Sequence, residues 1–312
     1  MNVLSLFDGI SVARQAFHDA NIPINKYYCC EIDKYAIQIS KKNWKDNIHF
    51  GSVVDFSNTS LDIDLLIGGS PCQDLSIAKK NRKGLDGERS SLFWEYIRIK
   101  DLVKPKFFIL ENVASMSNVD KDIISKAIGC EPIMFNAALV SAQCRKRLFW
   151  TNINFELPVD NNILLKDILQ EDVEIDERMI VKGKAFTLTS SYLKVSASEA
   201  QIKNSIEKKQ RTMVKFRQLG HIGKSSSQGN RVYNTDGKSI CLSANGGGLG
   251  AKTGLYNVKG ITPTIRKLTP IECERLQSLP DNYTEGISNT QRYKCLGNAF
   301  NCKVIEHILL SI

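Results

Sequence analysis

An alternation in the first 150 residues constrains the fold most. Short apolar runs take turns with segments whose apolar residues recur at helical spacing. "NVLSLF" (2–7), "YYCCEI" (27–32), "DLLIGG" (64–69), "FFILENV" (107–113) and "RLFWTNI" (147–153) read as strands. "SVARQAFHDA" (11–20), "DKYAIQISKKN" (33–43) and "SLFWEYIRIKDLV" (91–103) read as helices between them. Several strands are apolar on consecutive positions, as when both sheet faces are covered. Such a chain folds as an α/β doubly wound sheet, with its ligand crevice at the C-terminal ends of the strands.

The periodicity weakens from about residue 160, and residues 176–262 are polar, basic and rich in Ser, Asn and Gly. That stretch is too long for a loop and too apolar in places for disorder, which predicts a small second domain of short strands and loops. Regular structure returns at "TPIECERLQSL" (269–279), a helix with Thr269 as N-cap, Pro270 next and Glu272 completing a capping box. "NAFNCKVIEHILLSI" (298–312) reads as a final helix capped by Asn298. The expected organisation is therefore 1–175, 176–262 and 263–312, the last returning to the first.

Charge follows the same division. Between Arg178 and Lys267 stand 17 of the 42 Lys/Arg and only three of the 33 acids, a net of +14 that leaves −5 for the rest. A polyanion-binding module on an acidic body has this footprint, and so does a lysine-rich solubilising surface. Nine cysteines are scattered without a Cys-x-x-Cys pair, and there are four histidines. This disfavours a zinc site or a disulfide framework and fits reduced thiols in a cytoplasm. No run approaches a membrane span, and "MNVLSLFDGIS" lacks the basic start of a signal peptide.

Candidate sites gather at the strand ends. "LFDGIS" turns from the first strand into a helix, with Gly9 as its one glycine. Glu31 follows 22 residues later, where an acid accepts from ribose hydroxyls. Together they favour a ribose-bearing cofactor without a pyrophosphate, although each alone is equally a bare turn or a surface acid. Cys72 follows Pro71 just beyond "DLLIGG". A lone cysteine is usually a buried small hydrophobe, with a nucleophile as the alternative reading. The basic "KKNRKGLDG" (79–87) suits either a lid over phosphates or a solvated loop. Glu111 follows four apolar residues, so either partial desolvation raises its pKa and makes it a candidate proton donor, or it sits at an exposed strand end. In "QCRKR", Gln143, Arg145 and Arg147 share one face of an extended segment, where two arginines in line can grip a phosphate or a base carbonyl, although in isolation the segment reads first as a surface charge run.

"SLFDGIS", "GGSPCQ", "ENV", "QCRKR" and "RLQSLPDNY…KCLGNAF" occur in this order. Together they resemble the signature of the DNA cytosine-5 methyltransferase family, over about residues 1–155 and 264–312. The wording is closest to animal de novo enzymes. The layout, with a variable basic insert, is that of bacterial and phage modification enzymes. The resemblance implies a Rossmann-like S-adenosylmethionine-dependent methyltransferase sheet plus a target-recognition domain in the basic segment.

For the cofactor, the resemblance implies contacts from Phe7, Asp8, Gly9, Ile10, Glu31, Ile32, Ser52, Val53, Pro71, Leu92, Asn298 and Ala299. It implies Cys72 as nucleophile, Glu111 as the acid at N3 of cytosine, Arg147 at O2 and Arg145 on a neighbouring phosphate. DNA contacts are implied at Gln73, Ser76, Lys79, Lys80, Arg82, Lys83, Arg89, Gln143, Arg231 and Gly247. The implied setting is a monomer on double-stranded DNA, without metal or membrane, in a bacterial or phage-infected cytoplasm, with a separately encoded restriction endonuclease as a candidate partner. Ser11 departs from a Gly-type position, Ala299 stands where serine is frequent, and Ser52 stands where the family often has an acid, with Asp55 three residues on. A tRNA acceptor, a catalytically dead DNA-binding relative and a nicotinamide oxidoreductase are the competing readings. The long basic insert, the intact Cys72, Glu111 and arginines, and the single glycine of the first turn speak against each in turn.

Overall fold

In the computed structural model, which describes residues 1–71, 92–171, 218–222, 230–244, 249–250, 252–258 and 264–312, the first apolar run becomes β1 (Asn2–Leu6). It sits centrally in a seven-stranded sheet with β2 (Lys26–Cys30), β3 (Ile48–Gly51), β4 (Leu65–Gly69), β5 (Phe107–Val113), β6 (Ile133–Asn136) and β7 (Lys146–Thr151). The order is β3-β2-β1-β4-β5-β7-β6, and β7 runs antiparallel to both neighbours. Too few residues separate β6 from β7 for a crossover, so the chain returns as an antiparallel partner. The winding reverses between β1 and β4, which opens the crevice expected of a doubly wound sheet.

Alternate residues of each strand enter different cores. Val3, Leu65, Ile67 and Ile109 pack on one face with Phe17 of α1 (Val12–Asp19) and Ile39 of α2 (Lys34–Asn43). Leu4, Leu66, Phe108 and Leu110 pack on the other with Tyr96 and Ile99 of α3 (Phe93–Val103) and Ile124 of α4 (Asn118–Ile128). Burial on both sides explains why these strands read as continuous apolar runs.

The C-terminal segment supplies α5 (Pro270–Leu276), α6 (Asn289–Asn298) and α7 (Cys302–Leu309). Thr269 forms the expected capping box with Glu272, with Pro270 inside the first turn. The final helix differs from expectation. Asn298 ends α6 instead of starting α7, and Ala299 is extended. The cap of α7 is Asn301, whose Oδ1 accepts from Val304 N at 3.3 Å. Helix α7 packs on α1, and Tyr283 Oη donates to Ile10 O at 2.9 Å, which brings this segment against the first βα turn.

A second sheet, ordered β11-β10-β9-β8, comprises β8 (Gln218–His221), β9 (Arg231–Asn234), β10 (Leu255–Val258) and β11 (Thr264–Arg266). Backbone bonds join the chain after β9 to the large sheet's edge. Ser239 N donates to Ala142 O at 2.8 Å, and Cys144 N donates to Ser239 O at 3.0 Å. Among the described residues no helix is long and apolar enough to cross a membrane, and no His/Cys/Asp/Glu group is arranged to hold a metal ion.

Candidate active site

The turn after β1 is left-handed at Phe7 (φ 56°), Gly9 (φ 59°) and Ser11 (φ 60°). Glycine adopts this conformation freely, whereas each of the other two costs about 1–2 kcal/mol. Surrounding bonds hold the turn in place. Asp8 N donates to Cys30 O at 3.1 Å, and Gly9 N to Glu31 Oε2 at 2.8 Å. Asp8 is buried, accepting from Tyr27 Oη at 2.7 Å and from Ser11 Oγ. Ser11 Oγ also meets Ser40 Oγ at 2.7 Å, and Ser40 meets His49 Nε2 at 3.3 Å. Burial pushes the Asp8 carboxyl up to about 6, despite the bonds from Ser11, Ser5 and Tyr27 that pull it down.

This turn forms one wall of a cavity of about 430 Å³ at the switch point. Phe7, Asp8, Gly9, Ile10, Glu31, Ile32, Ser52, Val53, Pro71, Leu92, Asn298 and Ala299 all line it, as do Glu111, Arg145 and Arg147. Glu31 already accepts three backbone N–H bonds: Gly9 on Oε2, and Ile32 (2.7 Å) and Asp33 (2.8 Å) on Oε1. One lone-pair site on Oε2 remains for a ligand hydroxyl. Ile32 and Val54 turn apolar side chains toward solvent, 75% and 57% exposed, at the same cavity. Ser52 Oγ accepts from Val54 N at 3.2 Å. Asp55 is exposed and is not part of the cavity wall.

Opposite the turn, Glu111 near the end of β5 is ion-paired with Arg147, Oε1 to Nε at 2.7 Å. The apolar run before Glu111 therefore does not leave it isolated. Arg145 is 4% exposed, and its Nη2 donates to Ala299 O (2.8 Å) and Gly297 O (3.3 Å). Asn112 Nδ2 donates to Ser70 Oγ at 3.0 Å, fastening the end of β5 to the turn that leads to Pro71. Gly69 allows the approach of both sides, since a Cβ there would stand 2.9 Å from the Phe300 ring and 3.1 Å from Glu111 Oε2.

Gln143, expected at DNA, is wholly buried, with its backbone bridged to Ser239. Arg231 opens β9 beside Tyr233, half-buried. Cys72, Gln73, Ser76, Lys79, Lys80, Arg82, Lys83, Arg89 and Gly247, and with them the predicted lid, lie outside the described residues. Phe300, Gly69, Asn112 and Cys241 join the site without having been singled out from sequence. The double glycine of "DLLIGG" is the signal that could have marked Gly69.

The chain matches the C-5 cytosine-specific DNA methylase family over residues 1–312. It is 30% identical over 332 residues to the type II methyltransferase M.HhaI of Haemophilus parahaemolyticus, covering 100% of this chain and 94% of that protein. It is 25% identical over 423 residues to the orphan methyltransferase M.SPRI of Bacillus phage SPR, covering 99% and 96%. In fold it is similar to the Entamoeba histolytica methyltransferase EhMeth (TM-score 0.68, 18% identity, 99% and 96% covered). It is also similar to the S. pombe Dnmt2 methyltransferase (TM-score 0.65, 16% identity, 99% and 97% covered). With its whole length matched and its site walls assembled at the sheet's switch point, the chain belongs to the C-5 cytosine-specific DNA methylase family and is a DNA (cytosine-5-)-methyltransferase.

Proposed function

We propose that the enzyme transfers the methyl group of S-adenosylmethionine to C5 of cytosine within a specific short sequence of double-stranded DNA, by flipping the base and attacking its C6 with Cys72. The observation that carries this reading is the Glu111–Arg147 pair facing the Gly9–Glu31 turn across one cavity. The walls fit the cofactor. Glu31 keeps an acceptor site for a ribose hydroxyl, exposed Ile32 and Val54 suit the faces of a flat base, and the single-glycine turn suits a ligand without a pyrophosphate.

When bound, the cofactor supplies an electrophilic methyl at its sulfonium. Cytosine C5 is too weak a nucleophile to take it unaided, and a thiolate adding to C6 makes C5 enamine-like. Cysteine is suited to this as a soft nucleophile partly ionised near neutrality. Negative charge then develops toward N3, where Glu111 bonds to or protonates the ring while Arg147 holds O2. Loss of the C5 proton and β-elimination release Cys72. The duplex hides these atoms, so the base must leave the stack. Residues 176–262 form the target-recognition module between the catalytic segments 1–175 and 263–312. The net of +14 between Arg178 and Lys267 implies many phosphate contacts and a steep salt dependence. The enzyme acts as a monomer on DNA in a bacterial or phage-infected cytoplasm.

The test is transfer of labelled methyl from S-adenosylmethionine to duplex DNA by the wild type and by Cys72→Ser, with tRNA as an alternative acceptor. Transfer to DNA that is abolished in Cys72→Ser is expected. Retained activity in that variant overturns the covalent route, and preference for tRNA overturns the duplex substrate. Bisulfite sequencing of DNA from expressing cells reports the methylated context.

A further inference from the structure

A buried guanidinium, that of Arg145, beside the half-buried one of Arg147 is repelled by it and needs compensation. Glu111 meets Arg147, and the carbonyls of Gly297 and Ala299 meet Arg145. One further atom touches both arginines. Cys241 Sγ lies 3.3 Å from Arg145 Nη1 and 4.0 Å from Arg147 Nη2. Its backbone is held on both sides. Ser239 is bonded to Ala142 and Cys144, Ile240 N donates to Tyr256 Oη at 3.2 Å, and Ser243 N donates to Lys252 O at 2.9 Å. The strand ends of the large sheet and the chain beyond β9 thus meet at this sulfur.

We propose that Cys241 is a positioning residue for methyl transfer, its sulfur clamping the Arg145 and Arg147 guanidiniums in the orientation that presents them to the target nucleotide. This rests on those arginines being the grips for base and phosphate.

The sulfur has two settings. As a thiol it donates to Leu242 O at 3.3 Å, and as a thiolate it accepts only from the arginines. Burial alone pushes this thiol up, but the charges and bonds of Arg145 and Arg147 outweigh burial and hold it below its ordinary value. Glu111 stands beyond Arg147, and Cys144 is the other titratable neighbour. The remaining described cysteines, Cys29, Cys30, Cys130, Cys144, Cys273, Cys295 and Cys302, are all pushed upward. Cys241 is therefore the one described cysteine held below its ordinary value.

Two measurements test the clamp. The first compares Cys241→Val, which keeps bulk but cannot accept, with Cys241→Ser, which keeps a small acceptor. Val is expected to lower kcat/KM for DNA by about tenfold or more, the loss of a charge-assisted bond, with cofactor affinity unchanged and Ser in between. Val at wild-type kcat/KM, or Val and Ser equally impaired with cofactor affinity lost, overturns the proposal. The second follows thiolate ultraviolet absorbance against pH in Cys72→Ser, where a step below 9.0 is expected. That step should vanish in Cys72→Ser/Cys241→Val, and its persistence there overturns the assignment. If wild type fails to methylate DNA, the functional reading fails, while the titration still decides whether the sulfur pairs with the arginines.

Discussion

Gly297 lies in the last turn of α6, where alanine would ordinarily stabilise the helix by about 1 kcal/mol. Its surroundings forbid the gain. A Cβ there would stand 2.6 Å from Ser243 C and 2.9 Å from Ala244 Cα, with Ala244 N closer still, against an ordinary contact distance of 3.4 Å or more. The neighbours are backbone, so no rotamer change relieves the overlap, and α6 and residues 243–244 must part by about 1 Å. Cys241 lies two residues before Ser243, and Arg145 bonds the carbonyl of Gly297 itself. A displacement of this size at catalytic groups costs about 100-fold in rate. The overlap adds about 1–3 kcal/mol of strain against the helical gain. Gly297→Ala should therefore melt between no change and about 4 °C below wild type, at about 2 °C per kcal/mol for a chain of this length. Its methyl transfer to DNA should fall about 100-fold. Thermal unfolding and labelled-methyl transfer on the same preparation measure both. A variant that melts higher and keeps wild-type activity refutes the reasoning.

Asp8 and Glu272 give two further predictions. Because burial lifts Asp8 from 3.8 to about 6, the folded state holds its proton more tightly than the unfolded chain. Its contribution is full below pH 3.8, is lost as pH rises toward 6, and amounts to about 3 kcal/mol. Asp8→Asn does not titrate, so its stability relative to wild type should climb across that window, and a pH-independent difference in denaturant unfolding rules the account out. Glu272 is wholly buried and takes both nitrogens of Arg266, at 2.7 and 2.8 Å, beside its bond from Thr269 N. Glu272→Gln strands that guanidinium and should cost about 3–5 kcal/mol, or roughly 6–10 °C in melting temperature. A drop under about 2 °C would show that the pair contributes little.

Five of the seven strands of the large sheet, all but β3 and β6, were legible because their signals are local. A strand buried on both faces writes its own apolar run, and α1 and α3 carry apolar residues at helical spacing. Helix α4 escaped notice because exposed Val119 and Ile123 blur the stripe made by buried Ile124 and Ile128. Helix α6 buries only Cys295, Leu296 and Gly297, too few to show a period. The apolar run from Ala299 onward suggested one helix starting at Asn298. Whether Asn298 or Asn301 caps it depends on which backbone N–H groups the side chain meets, and composition does not carry that. Cys241 stayed invisible for a stronger reason, since its partners lie 96 and 94 residues away in the chain.

The site shows where local signals end and topology begins. Glu111 follows an apolar run, so sequence alone suggests a desolvated carboxyl. Its partner is set by the pairing of β5 with β7, in which Glu111 faces Phe149 and Arg147 lies two residues along the same face, a diagonal neighbour. That pairing exists because β7 runs against the rest of the sheet. In a parallel strand, Arg145 and Arg147, at the start of the run, would stand at the edge away from the crevice. The short return from β6 inverts the strand, so its first residues arrive where β1 and β4 end, beside the cofactor turn. One antiparallel strand thus converts "QCRKR" from a surface charge run, which it resembles in isolation, into the wall facing Glu31.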